Sequence, residues 1–166
     1  VLLNSLTQII KGARVEELPA RINDLVAKMR DIEKELSTLR TASAMESAAS
    51  LISAAKVVAG TTVVVGSLAD GIAADNLRLI ALDLRARNAN TVVALTSVVD
   101  EKIVLVVAVS DDARASGVTA GALVKLGSAI LGGGGGGKDD FAQGGGTNVG
   151  AINQALQAIE LAISGK

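Results

Sequence analysis

The sequence has no cysteine, no histidine, no tryptophan and no tyrosine, and Phe141 is its single aromatic residue. Without thiols and imidazoles it lacks disulfides, thiolate nucleophiles, histidine bases and the usual zinc ligands. We therefore predict neither catalytic residues nor a metal site. No apolar run approaches the roughly 18 residues of a membrane span, and no basic segment followed by an apolar one opens the chain. We expect a soluble, cytoplasmic protein without membrane contact.

Charge and aromatic content limit the kind of nucleic acid that the chain could bind. Its 16 Lys and Arg residues face 17 Asp and Glu residues, a net charge of −1. This balance differs from the basic surface of an autonomous nucleic-acid-binding domain. Single strands are mostly held by bases stacked on aromatic side chains. A nucleic-acid ligand is therefore expected to be folded or paired, and to be recognised locally through its shape and backbone.

The first third of the chain predicts a helical arm. Residues 2–10 carry leucine and isoleucine on one face of a short helix. A second helix is expected from Pro19, a residue that suits the first helical position. Its apolar residues advance in alternating steps of four and three, the pattern of a coiled coil. We call these seven residues the heptad seam: Leu18, Ile22, Leu25, Met29, Ile32, Leu36 and Leu39.

The heptad seam favours self-association. Lys28 with Glu33, and Glu35 with Arg40, are spaced as interhelical charge pairs of a parallel dimer. The first helix, about 15 Å long, is too short to cover a pattern that could continue for about 55 Å. Packing of the seam on that helix or on an absent upstream domain is the alternative. The predicted dimer contacts are Leu25, Met29, Ile32, Leu36 and Leu39.

The pattern changes near residue 57, and we predict an arm at residues 1–57 followed by a compact α/β (α+β) domain at residues 58–166. Runs of β-branched residues predict strands at 61–65, 91–98 and 103–109, the last two joined as a hairpin. Helices are predicted at 75–87, at 119–131, and from Thr147 or Asn148 onward. The expected architecture is a mixed sheet with flanking helices.

Nine of the 18 glycines lie between residues 132 and 146, around Lys138. Successive glycine amides beside a helix end can form a nest for phosphate oxygens. Because the segment lies between two predicted helices, we interpret it as an anion-binding or nucleic-acid-backbone-binding loop, with a flexible linker as the alternative. Neither phosphate-binding consensus fits, so nucleotide hydrolysis is not expected. The candidate contacts are Gly132, Gly133, Gly134, Gly135, Gly136, Gly137, Lys138, Asp139, Gln143, Gly144, Gly145 and Gly146.

Other charged residues have two interpretations each. Arg78 and Arg85 share one helix face, and Lys125 lies on another helix. They could contact a phosphate backbone or form a solvated surface. The pairs Asp139-Asp140 and Asp111-Asp112 could hold Mg²⁺, but we favour solvated or capping roles for them.

Three segments resemble the C-terminal domain of alanyl-tRNA synthetase. They are residues 15–22, residues 75–78, and the glycine motif, in which Ala142-Gln143 lies between glycine clusters. The globular part is also similar to the DHH-associated domain, which the alanyl-tRNA synthetase family shares with DHH phosphodiesterases. Those enzymes usually place a histidine in or next to the glycine motif, and this chain has none. In the synthetases a basic residue usually precedes Pro-Asp, whereas here Lys138 precedes Asp139-Asp140.

The resemblance implies a noncatalytic domain that binds the elbow of alanine-specific tRNA, supports cooperation of aminoacylation with editing, and dimerises through its arm. It places Lys138, Asp139, Ala142 and Gln143 at or near the tRNA, and Arg78, Arg85 and Lys125 complete our candidate contacts. The catalytic and editing domains of the same ATP-dependent ligase would be partners. We expect no cofactor in this fragment, with ATP, magnesium and zinc used in the other domains.

Because the chain begins at Val1 and not at Met, we expect it to be a piece of a longer protein. Two other functions are compatible with the sequence. One is a purely structural oligomerisation module that scarcely touches RNA. The other is the substrate-binding domain of a DHH phosphodiesterase, which an upstream Asp-His-His sequence would reveal.

Overall fold

The computed structural model describes residues 14–165, so the helix predicted at residues 2–10 lies outside the described residues. The chain forms two compact units, Val1–Leu39 and Arg40–Lys166, which we describe separately. A 3-10 turn at Val15–Glu17 leads into helix α1, Leu18–Ser53. Pro19 lies in its first turn, where the missing N–H breaks no helical hydrogen bond. The predicted long helix is confirmed.

In the first unit the heptad seam is largely exposed. Leu18 is buried, but the exposed fractions of the other six residues lie between 44% and 65%. Lys28 forms an ion pair with Asp24 one turn earlier, with a separation of 3.2 Å. A single chain does not test the interhelical pairs that the heptad predicts.

The second unit contains a six-stranded sheet. Its strands are β1 (Lys56–Val58), β2 (Thr61–Ser67), β3 (Thr91–Val99), β4 (Lys102–Val109), β5 (Gly135–Gly137) and β6 (Phe141–Gly146). The spatial order is β1-β2-β3-β4-β6-β5, and β2 and β3 alone are parallel. The three predicted strands are β2, β3 and β4. The predicted hairpin turns at Asp100 and Glu101, both with positive φ as in a type I′ turn.

Helices cover both faces of the sheet. They are α2 (Ala74–Ala86), α3 (Asp111–Ala115), α4 (Ala120–Ile130) and α5 (Ile152–Ser164). Alternate residues of each strand point to opposite faces. Val93 and Val106 pack into a core with α2 and the end of α1, while Val92 and Val107 pack into a core with α4 and α5. We call these the α2 face and the α4 face. The predicted mixed-sheet domain with flanking helices is confirmed.

Some boundaries differ from the prediction. Ala44 and Ala48 of α1 are each 1% exposed and belong to the core on the α2 face. The second unit therefore begins at Arg40, ahead of the boundary expected at residue 58. The last helix begins at Ile152 after a 3-10 turn, and Asn148 makes no capping hydrogen bond with its side chain. Among the described helices, none is both long and apolar enough to cross a membrane.

Candidate nucleic-acid interface

The glycine segment is an antiparallel hairpin, so the prediction of a loop is wrong. β6 pairs with β4, and β5 pairs with β6 so that Gly136 lies opposite Gln143. The N–H of Gly145 donates to the carbonyl of Gly134 at 3.2 Å, and the N–H of Lys138 donates to the carbonyl of Phe141 at 2.9 Å. Amides that a loop would leave bare are thus partly used in the sheet.

The N-terminus of α4 is occupied by carbonyl groups of this hairpin. The N–H of Ala120 donates to the carbonyl of Asp139 at 2.9 Å. An ideal Cβ at Gly121 would lie 3.3 Å from the carbonyl oxygen of Gly137. Carbonyl oxygens carry negative partial charge and take the position that an anion would take at a helix start. Protein oxygen atoms therefore lie at the N-terminus of α4 where an anion would otherwise bind.

Most of the hairpin glycines are required by close packing. An ideal Cβ at Gly135 would lie 2.6 Å from Val124 Cγ1 on α4, and one at Gly144 would overlap Ser128 Oγ on the same helix. Side chains at Gly145 and Gly146 would overlap main-chain carbonyls of Ile103 and Leu131. Real Cβ atoms do not approach other atoms so closely, because the atoms repel each other at these distances and a densely packed interior leaves the neighbours no room to move away. Gly135 and Gly144 thus let α4 lie directly on the hairpin, and Gly145 lets the hairpin lie close to β4.

Gly134 and Gly136 differ from their neighbours. Nothing among the described residues lies within 4 Å of an ideal Cβ at either position. Gly136 and Gln143 are cross-strand partners and therefore share a face, which is also the face of Phe141 because alternate residues point the same way. Phe141 packs against the core under α2. We call Gly134, Gly136 and the exposed Gln143 the open hairpin face.

Three of the four predicted basic contacts lie around the hairpin. The guanidinium of Arg78 lies over the ring of Phe141, 4.7 Å from its centroid, an arrangement that favours attraction between cation and ring. Lys138 is exposed at the end of β5. Arg85 reaches the turn at residues 138–140 from α2. Lys125 lies on α4, across the sheet from Arg78, so the structure does not bring it to this surface.

In the described chain the carboxylates of the paired aspartates are exposed or lie near arginines, and the expected capping by these carboxylates is not seen. Asp140 approaches Arg85 at 3.9 Å, and the carbonyl of Asp139 caps α4. Ser110 Oγ accepts from the N–H of Ala113, so Asp111 lies in the first turn of α3. A hydrogen bond from Arg114 and then its charge lower the pKa of Asp111. Within residues 14–165 no group of three or more aspartate or glutamate side chains is placed to hold a metal ion.

A groove of about 920 Å³ lies at the other end of the sheet, beside the β3–β4 turn. Its lining carries both signs of charge, including Arg40 and Lys102 with Asp70 and Glu101. The sequence pattern did not indicate it, because its residues come from α1, two turns, the adjoining ends of β3 and β4, and the segment after β6.

Comparison with known proteins decides the family. The family model described as the DHHA1 domain matches residues 60–165. The C-Ala domain of alanyl-tRNA synthetase from Aquifex aeolicus superimposes with a TM-score of 0.62 and 30% identity, covering 66% of this chain and 97% of that one. The chain belongs to the C-Ala domain family of alanyl-tRNA synthetases.

The curated relatives of this C-Ala domain support the same family assignment. Alanine–tRNA ligase of Thermobifida fusca is 41% identical over 99% of the chain, and that of Acidothermus cellulolyticus is 46% identical over 95%. The chain spans 19% and 18% of the length of these two relatives. The resemblance inferred from the three segments is confirmed, and similarity along nearly the whole chain does not favour the phosphodiesterase alternative.

Proposed function

We propose that this C-Ala domain binds the elbow of alanine-specific tRNA through the open hairpin face and its bordering cations, and catalyses no reaction itself. The proposal rests on bare backbone at Gly134 and Gly136 with free space above it, next to Lys138 and Arg78. A surface with few side chains admits a paired RNA closely, while cations neutralise its phosphates. Membership in a tRNA synthetase family supports tRNA as the ligand.

In the whole enzyme this contact would hold one tRNA for both the aminoacylation centre and the editing centre. The proposed partners are therefore the catalytic and editing domains, which would use ATP, magnesium and zinc in the cytoplasm. This domain would supply binding and positioning without a cofactor of its own. We further propose that the exposed heptad seam joins two copies of the chain.

Lys138→Met is expected to weaken binding of alanine tRNA about threefold to tenfold, because one charge-assisted phosphate contact is lost. With one phosphate neutralised at each of Lys138 and Arg78, the log–log slope of affinity against salt should be about −1.4 to −1.8, and this variant should reduce its magnitude by about 0.7 to 0.9. Fluorescence anisotropy at several salt concentrations measures both quantities.

Lys125→Met is the matched control, since it removes the same charge across the sheet and should leave affinity and slope unchanged. An unrelated tRNA tests selectivity in the same titrations. Equal losses for the two lysine variants would argue against the hairpin as the contact surface. No retention of folded tRNA by the wild-type chain at low salt would contradict tRNA binding and favour the purely structural alternative.

A further inference from the structure

The turn that presents Lys138 is fixed by main-chain hydrogen bonds to three elements. The carbonyl of Asp140 accepts from the N–H of Val109 at 2.8 Å, which joins the turn to the end of β4. The carbonyl of Asp139 accepts from Ala120 of α4, and the N–H of Lys138 donates to Phe141 of β6, both at 2.9 Å. All three of these bonds join main-chain atoms.

Arg85 adds an anchor that does depend on its side chain. Its Nη1 atom donates to the carbonyl of Asp140 at 3.2 Å and lies 3.5 Å from the carbonyl of Val109. The same nitrogen is 3.9 Å from the Asp140 carboxylate, and 28% of the Arg85 side chain is exposed. The guanidinium therefore joins α2 to the turn and to the end of β4 by charge-assisted hydrogen bonds, which are stronger than neutral ones.

Lys138 and Arg85 thus differ in what their charges do. Nη1 of Arg85 is already directed at protein oxygen atoms. In the described part of the chain, the Lys138 ammonium has neither an ion pair nor a hydrogen bond, and its side chain is exposed. A phosphate would meet the lysine without displacing a protein contact, whereas at Arg85 it would compete with two carbonyls and a carboxylate.

We infer that Arg85 is a positioning residue: it holds the turn so that Lys138 faces the phosphate backbone, and it neutralises no phosphate itself. The inference rests on the proposed function, because Lys138 must contact RNA for its position to matter. It revises the expectation that Arg85 contacts tRNA directly.

Salt dependence separates positioning from contact. Arg85→Met should weaken binding of alanine tRNA about threefold to tenfold. Without the arginine the turn is no longer held in place, so binding must also bear the cost of ordering it. Its log–log slope should stay within about 0.2 of wild type, whereas Lys138→Met should reduce the slope by about 0.7 to 0.9. In the double variant the two losses should combine to less than their product, since Arg85 acts through Lys138.

Two further variants refine the test. Arg85→Gln removes the charge but keeps a donor for the carbonyl, so it should bind better than Arg85→Met with an unchanged slope. Asp140→Asn keeps that carbonyl and removes the carboxylate, so it should change affinity less than twofold. Thermal unfolding of each variant identifies any loss of fold, and Arg85→Gln keeps the test valid if Arg85→Met unfolds.

A slope reduced in Arg85→Gln as much as in Lys138→Met, with multiplicative losses in the double variant, would overturn the inference. Amide hydrogen exchange gives a readout that needs no RNA. Protection of the N–H groups of Lys138, Val109 and Ala120 should fall in Arg85→Met, and unchanged protection would also overturn it. Failure of the wild-type chain to bind tRNA, with exchange altered as expected, would count against the proposed function and not against the anchoring role.

Discussion

Valine at Gly145 is expected to destabilise the second unit strongly, while valine at Gly136 is expected to leave its stability almost unchanged. A Cβ at Gly145 would overlap the carbonyl of Ile103 in β4, and this main-chain atom cannot move without breaking the sheet. At Gly136 the space is empty and φ is not in the left-handed region. We expect Gly145→Val to cost about 3 to 5 kcal/mol and Gly136→Val less than about 1 kcal/mol.

Thermal unfolding followed by circular dichroism measures this difference. The same pair of variants then tests the surface, because Gly136→Val places a branched side chain on the open hairpin face. We expect it to weaken tRNA binding at least about tenfold. The valine side chain would hold the RNA away from this face and so weaken its contacts with neighbouring residues as well. Ala122→Val adds similar bulk on α4 and should bind like wild type. A folded Gly136→Val variant with wild-type affinity would exclude this face as the contact surface.

The difference between these two glycines shows what the sequence could not predict. A glycine contributes no side chain to a periodic pattern, so β5 and β6 have no alternation that predicts strands. The need for glycine at Gly135 and Gly144 is set by Val124 and Ser128 of α4, which are distant in the chain. Only the packed structure separates these positions from Gly136.

Elements with strong side-chain patterns were predictable. The spacing of Leu77, Ile80 and Leu84 gives α2 one apolar face, and all three residues are buried in the structure. Runs rich in β-branched residues likewise predicted β3 and β4, which are buried on both faces over most of their length. Strand order was not predictable, because it depends on contacts between these runs and not on their composition.

The candidate site was predictable only in part, because local sequence patterns indicate some of its residues but not the contacts between segments that are distant in the chain. Lys138 could be singled out because it stands among glycines, and the structure leaves it exposed at the end of the hairpin. The helical spacing of Arg78 and Arg85 correctly placed them on one side of α2. Spacing contains no information about the strand beside that helix, so it could not reveal that one arginine lies on Phe141 and the other on the carbonyl of Asp140.

Ile32→Asp is expected to convert a dimer of this chain into monomers. In the described chain Ile32 is 65% exposed, and its seam neighbours Met29 and Leu36 are 54% and 45% exposed. A second copy would cover this stripe, and an aspartate there would lose its hydration without gaining a partner. We expect the dimer to weaken at least about a hundredfold, which corresponds to about 2.7 kcal/mol. Sedimentation velocity over a range of concentrations measures the change.

Ala27→Asp separates the effect of the seam from that of a new charge. Ala27 is exposed on the helix side away from the seam, so the substitution adds the same carboxylate, and it loses more helix propensity than Ile32→Asp because alanine is the better helix former. It should leave the dimer intact, and loss of the dimer in both variants would argue against the seam as the contact. A wild-type chain that sediments as a monomer would contradict self-association and favour packing of the seam on an upstream part of the enzyme. Because the open hairpin face lies in the other unit, we expect Ile32→Asp monomers to keep the salt slope of wild-type tRNA binding.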